Sequence, residues 1–359
     1  MAGKRQHYLP RFLLKGFKSR DNVKGFYTWV FKNGNKPYEA NIINVGTEQY
    51  FYGEPDLWSI DDVITDKESE FAPILDDLRK CTSDISVPQT QISELIIHLI
   101  TRTRHLRLSL EELVNSFLNI IQEYVGSQKK LSDLLLAFIR ENPNEFRRLM
   151  KKSFAENGLV NPPPEVFEFA VQMAYRQAPM LSRSPSFLGM HLGLREGFKQ
   201  LRSDMPKLIE RTHLRALSKD TVPPALINRI SGLQWNVLVK PSRSFILGDA
   251  GPLAMQERTG EVKALFLLDD DDVSQIFLPI SDCHVLIGSR KGETSYSIDS
   301  LNFCSASFCK EFFISAELSA SCLGYQKYIG MRSSLFSEAE LRKLEQTFIK
   351  SLLEDSDSS

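Results

Sequence analysis

Four side chains at the start of the chain could do acid–base or anion chemistry from one short run, Gln6-His7-Tyr8-Leu9-Pro10-Arg11. An imidazole titrates near neutrality and can move a proton. A guanidinium is a fixed cation whose fork matches phosphate or carboxylate. Further on, Glu94, His98, Arg102 and His105 recur at spacings of four, four and three, which stacks them along one line of a helix. The two histidines are seven apart, so a helical zinc pair of the HExxH type is absent. No PD…ExK, HNH, HxxxH, P-loop or GxSxG pattern is found in a fitting context. These residue types suit chemistry on a phosphate, or a non-catalytic grip on one, and name no reaction.

The elements that must position them are legible in part. Pro10 fixes its own φ and pushes Leu9 towards extended backbone, so Gln6 to Tyr8 are presented from an extended segment. Arg11 to Phe17 can then turn and bury Phe12, Leu13 and Phe17. The aromatic, β-branched stretch 26–31 reads as a strand, Asn33-Gly34-Asn35 as a turn, and a second extended piece runs through Ile42 to Val45. Asp61–Lys80 reads as a helix that Pro73 must kink or end. Pro88–Leu113 is the clearest helix, with Ser93 as a candidate cap and an apolar stripe of Ile92, Leu95, Ile96, Leu99 and Ile100. Amphipathic segments follow to Leu217, punctuated at 142–144, 161–164 and 182–185. His191 and Arg195 within them read as surface or packing residues. Beyond Pro223-Pro224 come strands at 235–239, 244–247, 263–268, 276–279 and 284–288, a helical stretch 300–314, and a closing helix 337–353 capped by Ser337.

This pattern predicts an α+β fold. The N-terminal motif and hairpin pack with a C-terminal mixed or antiparallel sheet, and a large helical segment fills the middle. We expect one compact domain over 1–353, with an acidic, disordered tail at 354–359. With 359 residues and 42% hydrophobic content the chain can bury a sizeable core. No apolar run reaches the length of a membrane span and no charged-then-apolar leader precedes the motif, so a soluble, cytoplasmic protein is expected. Five cysteines without CxxC spacing argue against structural zinc and a disulfide framework. The net charge of −1 exerts no global pull on nucleic acid. Locally, Lys4, Arg5, Arg11, Lys15, Lys18 and Arg20 make the start basic, which suits phosphate or solvated lysines around a buried anchor.

The opening resembles the signature of a large, mostly bacterial family classed as a domain of unknown function, Gln-His-Tyr-x-Pro-Arg-x-x-Leu-x-x-Phe, matched from Gln6 to Phe17. Other segments resemble it too. Phe51-Tyr52-Gly53 is similar to the family's Phe-Tyr-Gly step, and Glu68 to Leu75 to its acidic segment ending in Ala-Pro-Ile-Leu. Arg102-Thr103 is similar to its helix-ending Arg-Thr, and Phe245 to Leu253 to its strand ending in Ser-Asp-Asn-Pro. The last departs from the pattern: Gly248 stands before Asp249, and Ala250-Gly251 intervene before Pro252. The resemblance covers about 6–108 and 230–315, leaving 109–222 as a helical elaboration. It adds Tyr52, Glu68 and Asp249 to the candidate set and makes Glu68 the natural partner of a buried Arg102. Tyr52 also reads as a half-buried strand aromatic, and Glu68 as an ordinary helical acid.

Two functions fit the assembled set. In the first, a phosphodiesterase-like effector acting on nucleic acid or nucleotides, of the kind bacteria use against phage, His7 is the acid or base. Arg11 and Arg102, with Tyr8 and Tyr52, hold the phosphate, and Asp249 with Glu68 holds a divalent metal. In the second, the same residues are a structural network inside a non-catalytic scaffold or ligand-sensing module with a protein partner. Burial of His7 discriminates between them.

Overall fold

The computed structural model describes residues 5–52, 60–181, 183–219, 224–240, 245–263, 265, 272–291, 297–334 and 338–354. Its internal contacts divide the chain into two compact units, Met1–Leu110 with Ile209–Leu335, and Glu111–Leu208 with Phe336–Ser359.

In the first unit the chain opens with β1 (Arg5–His7) and α1 (Arg11–Leu14), as Pro10 dictates, followed by a 3-10 turn, Lys15–Phe17. Phe12, Leu13, Leu14 and Phe17 are buried in the main core. Then come β2 (Arg20–Asn22), β3 (Gly25–Lys32), β4 (Tyr38–Asn41) and β5 (Thr47–Gln49). The hairpin β3–β4 turns where Asn33-Gly34-Asn35 places it. The extended piece expected through Val45 is interrupted by a 3-10 turn, Ile42–Asn44, because the Asn41 side chain accepts from Ile43 N at 3.1 Å. β1 pairs with β5 antiparallel. Gly46 makes the junction: its carbonyl accepts from both Tyr8 N (2.9 Å) and Leu9 N (3.3 Å). Its φ is 62°, and a Cβ there would lie 2.8 Å from Leu9 Cβ, so only glycine lets the opening motif close against this loop.

α2 (Ile60–Leu78) runs through Pro73 without ending there. Proline leaves the carbonyl of Ser69 without its helical donor, and Ser69 is exposed, so solvent can replace it. β6 (Ile85–Val87) follows. The single helix expected over Pro88–Leu113 is two, α3 (Gln89–Thr101) and α4 (Arg104–Gly126). The break has a local cause, since Thr103 Oγ1 accepts from Leu106 N at 3.2 Å and acts as the N-cap of α4. Ser93 is not a cap. It lies inside α3, buried, its hydroxyl without a hydrogen-bond partner.

The middle is helical as its periodicity requires: α5 (Gln128–Glu141), α6 (Pro143–Glu156), α7 (Pro164–Leu181) and α8 (Pro185–Lys219). His191 is a packing residue, with Nε2 2.8 Å from the Val125 carbonyl.

After α9 (Pro224–Ile230) the first unit resumes with β7 (Gln234–Val239), β8 (Leu247–Gly248), β9 (Leu253–Gln256), β10 (Val262–Lys263), β11 (Val273–Pro279) and β12 (His284–Ser289). α10 (Ile298–Phe308), β13 (Phe312–Ser315), α11 (Ala320–Gln326) and α12 (Glu338–Glu354) complete the chain. The helix expected over 300–314 therefore stops early, and its end is a strand, four buried residues pairing with β3. Most of the strand expected at 263–268, the Ser337 cap and the tail beyond Glu354 lie outside the described residues.

The sheets are antiparallel. One has the order β10-β9-β11-β12-β7-β6. In another, β3 pairs with β2, β4 and β13, and β13 with β8. The N-terminal hairpin and the C-terminal strands thus share one sheet, and the fold class is α+β with a helical middle. Among the described residues, no helix is long and apolar enough to cross a membrane.

Candidate functional site

The break between α3 and α4 is what builds the polar cluster. Arg102 caps the C-terminus of α3 and is 1% exposed. Every nitrogen of its guanidinium meets an internal acceptor. Nε donates to the Tyr52 hydroxyl at 3.1 Å, one terminal nitrogen to Glu68 Oε1, and the other to the His7 carbonyl. The nitrogen that meets Glu68 also lies 3.2 Å from His98 Nε2. The Tyr52 hydroxyl donates in turn to the His7 carbonyl at 3.2 Å, and the Gln6 side chain accepts from Tyr52 N. Burial works against the guanidinium's charge, but Tyr52 and Glu68 more than offset it, and its pKa is raised. His98, one turn back, is held neutral by burial and by the charges of Arg102 and Lys67, so Nε2 can accept.

His7 contributes its backbone, not its ring, to this cluster. His7 is half-buried, and its Nδ1 has no hydrogen-bond partner. Burial, then the charges of Arg11 and Arg102, lower its pKa to about 4, against a smaller opposing effect of the Leu9 and Val45 backbone. It is a neutral imidazole at pH 7. Arg11, the first residue of α1, is exposed.

Asp249 and Tyr8 lie in a neighbouring group. Asp249 is 5% exposed, and its two oxygens accept from the backbone N–H groups of Lys310 (2.9 Å), Glu311 (2.7 Å) and Phe312 (3.2 Å). Burial pushes its pKa up to about 6 in spite of those donors. Tyr8 packs on Phe51, with ring centroids 5.5 Å apart. Its phenol pKa is raised by burial and by the charges of Asp249 and Glu311. Arg104 bridges Glu48 (2.8 Å) and Glu311, and Arg107 donates to the Phe51 carbonyl with its guanidinium 3.8 Å over the Phe51 ring.

The structure thus gathers the His7 backbone, Tyr52 and Glu68 around Arg102, while the charge of Arg11 reaches the His7 ring and that of Asp249 reaches the Tyr8 phenol. Glu68 Oε1 meets Arg102, and the two oxygens of Asp249 meet three backbone amides. Among the described residues no group of three or more His, Cys, Asp or Glu could hold a metal ion. Arg104, Arg107, Glu48 and Glu311 also belong to these clusters and escape the sequence reading. For the two arginines the signal was their density in Arg102-Thr103-Arg104-His105-Leu106-Arg107, too many cations for one solvated face of a helix with so apolar a stripe; Glu48 and Glu311 carried none.

A family model described as a protein of unknown function, DUF4238, matches residues 5–318. The chain belongs to this family. The helical middle, which the sequence reading leaves outside the resemblance, falls inside the DUF4238 match. Neither a curated protein nor a solved structure matches the chain.

Proposed function

We propose that this DUF4238 protein is a non-catalytic, cytoplasmic binding scaffold whose opening motif ties the N-terminal strand to α2 and α3. The observation that carries this reading is the saturation of the charged groups. Arg102 has an acceptor for every nitrogen, Glu68 faces Arg102, and Asp249 spends both oxygens on backbone amides. A group that must bind a substrate phosphate keeps donors turned towards the substrate. Here the donors turn inwards, as a buried charge requires. The free state of all five cysteines fits a reducing compartment.

One observation favours the other reading, a phosphodiesterase-like effector on nucleic acid or nucleotides. His7 Nδ1 lacks a partner, and the exposed Arg11 lies close enough to depress the pKa of that ring. The two readings separate in one assay. Wild-type protein and a His7→Ala variant are incubated with labelled RNA, single- and double-stranded DNA and nucleotides, with and without Mg²⁺ or Mn²⁺. The scaffold reading expects no turnover by either protein. Cleavage by the wild type, lost in a folded His7→Ala protein, overturns it.

A further inference from the structure

The second unit carries a pocket of its own, independent of the Arg102 cluster. It lies between α6 and α7, in the hairpin those helices form, and encloses about 430 Å³. That is within the range of small-molecule sites, roughly 300–1,000 Å³. Its walls are set by short-range hydrogen bonds: Gly158 N donates to the Ala155 carbonyl (3.0 Å) and Leu159 N to the Phe154 carbonyl (2.9 Å). Phe167 is buried at its base, its ring edge-on to Phe154 with centroids 5.8 Å apart. Leu159 and Val160 form an apolar lip and are 58% and 71% exposed, two adjacent side chains that extend the apolar lining to the rim.

The charges at the rim are unequal. Arg147 and Glu168 form a two-pronged ion pair and satisfy each other. Lys151 makes no ion pair among the described residues. Its Nζ stands 5.7 Å from the centroid of the Phe167 ring, at the edge of the apolar floor. Its charge reaches Glu168 without a close contact, so the lining offers one cation with no hydrogen-bonded carboxylate beside an apolar cavity. The geometry points to a binding site for a small apolar carboxylate, its body against Phe167, Leu159 and Val160 and its carboxylate on Lys151. With Arg147 and Glu168 paired, the charged lining keeps a surplus of one positive charge, Lys151, which matches a monocarboxylate better than phosphate esters or dicarboxylates. The cavity is too small for a folded partner.

Ligand-observed NMR titration of the full chain tests this, with octanoate, octan-1-ol and octylammonium as probes below their aggregation limits. Octanoate is expected to bind at one site and octylammonium not to bind. Lys151→Gln weakens octanoate about fivefold, the size of an exposed ion pair, and leaves octanol unchanged. Ala155→Trp, at an exposed position lining the cavity, fills it and removes both. Thermal melts matching the wild type show that both variants fold. No octanoate binding, or binding unaffected by Ala155→Trp, overturns the site. Equal loss of octanol and octanoate in Lys151→Gln, or no loss of either, overturns the carboxylate assignment.

Discussion

A single guanidinium holds three segments that are far apart in sequence. Arg102 joins the backbone of His7, the side chain of Tyr52 and the carboxylate of Glu68. Removing one member of a buried pair leaves the other charge uncompensated, at a cost of about 3–5 kcal/mol. Arg102→Met should therefore cost that much in urea denaturation, and Glu68→Gln a similar amount, because the amide oxygen still accepts but the buried guanidinium loses its counter-charge. A loss below about 1 kcal/mol for Arg102→Met would show that the cluster does not fix the fold. The Glu68 pairing was legible because a buried arginine demands a carboxylate and the family pattern offered one. The role of Asp249 was not. A strand-end aspartate looks the same whether it faces a cleft or a backbone, and its amide partners lie 61 to 63 positions away in the chain.

At the scale of elements, hydrophobic period located most helices, whereas caps and close approaches decided where they stop. The apolar stripe of α3 continues smoothly into α4 in the sequence. Thr103 breaks it with one side-chain acceptor, so α3 ends at Arg102, which keeps its contact with His98 one turn back while α4 starts afresh and carries His105. Gly248 is a second case. The family pattern has serine before the aspartate, and the departure to glycine has a steric reason in this chain. A Cβ at Gly248 would lie 2.5 Å from the Ser305 carbonyl oxygen and 2.7 Å from Cys309 Sγ, where β8 passes α10. Gly248→Ser is expected to push β8 off α10 and to lose about 1–3 kcal/mol, as overpacked cores do. The same urea titration measures it, and a variant as stable as the wild type would mean that α10 yields at no cost.

Strand pairing in the first unit joins the two ends of the chain, Phe312 opposite Lys32 and Ser315 opposite Trp29, and local pattern has no access to such a register. Protonation is where this unit responds as a whole. Its core keeps four histidines neutral: burial, aided by neighbouring cations, lowers the pKa of His7 to about 4 and of His105 to about 3, and also lowers those of His98 and His213. The cations are Arg11 and Arg102 at His7, Lys310 at His105, Arg102 and Lys67 at His98, and Arg107 at His213. The unfolded chain takes up these protons near pH 6.5 and the folded one at lower pH, well below for His98, near 4 for His7 and near 3 for His105. The stability they contribute is therefore complete above pH 6.5 and is lost as pH falls towards 4. Asp249 acts in the opposite sense: raised to about 6, it binds its proton in the fold before the unfolded chain does, and so adds stability as pH falls from 6 towards 3.8. Asp61, whose pKa burial also raises, acts in the same sense as Asp249. Four groups oppose two, so the net slope follows the histidines. Ordinary carboxylates titrate below about pH 4.5, which leaves pH 6.5 to 5 as a window that reports the buried groups alone. The urea midpoint is expected to be flat from pH 8 to 7 and to fall steadily across that window. It should fall less steeply in a His105→Gln variant, whose amide can still donate to the Ser333 carbonyl now 3.2 Å from His105 Nε2. A midpoint that stays level or rises between pH 6.5 and 5 would mean that these rings reach solvent on protonation, and that the core around the opening motif is looser than its hydrogen bonds imply.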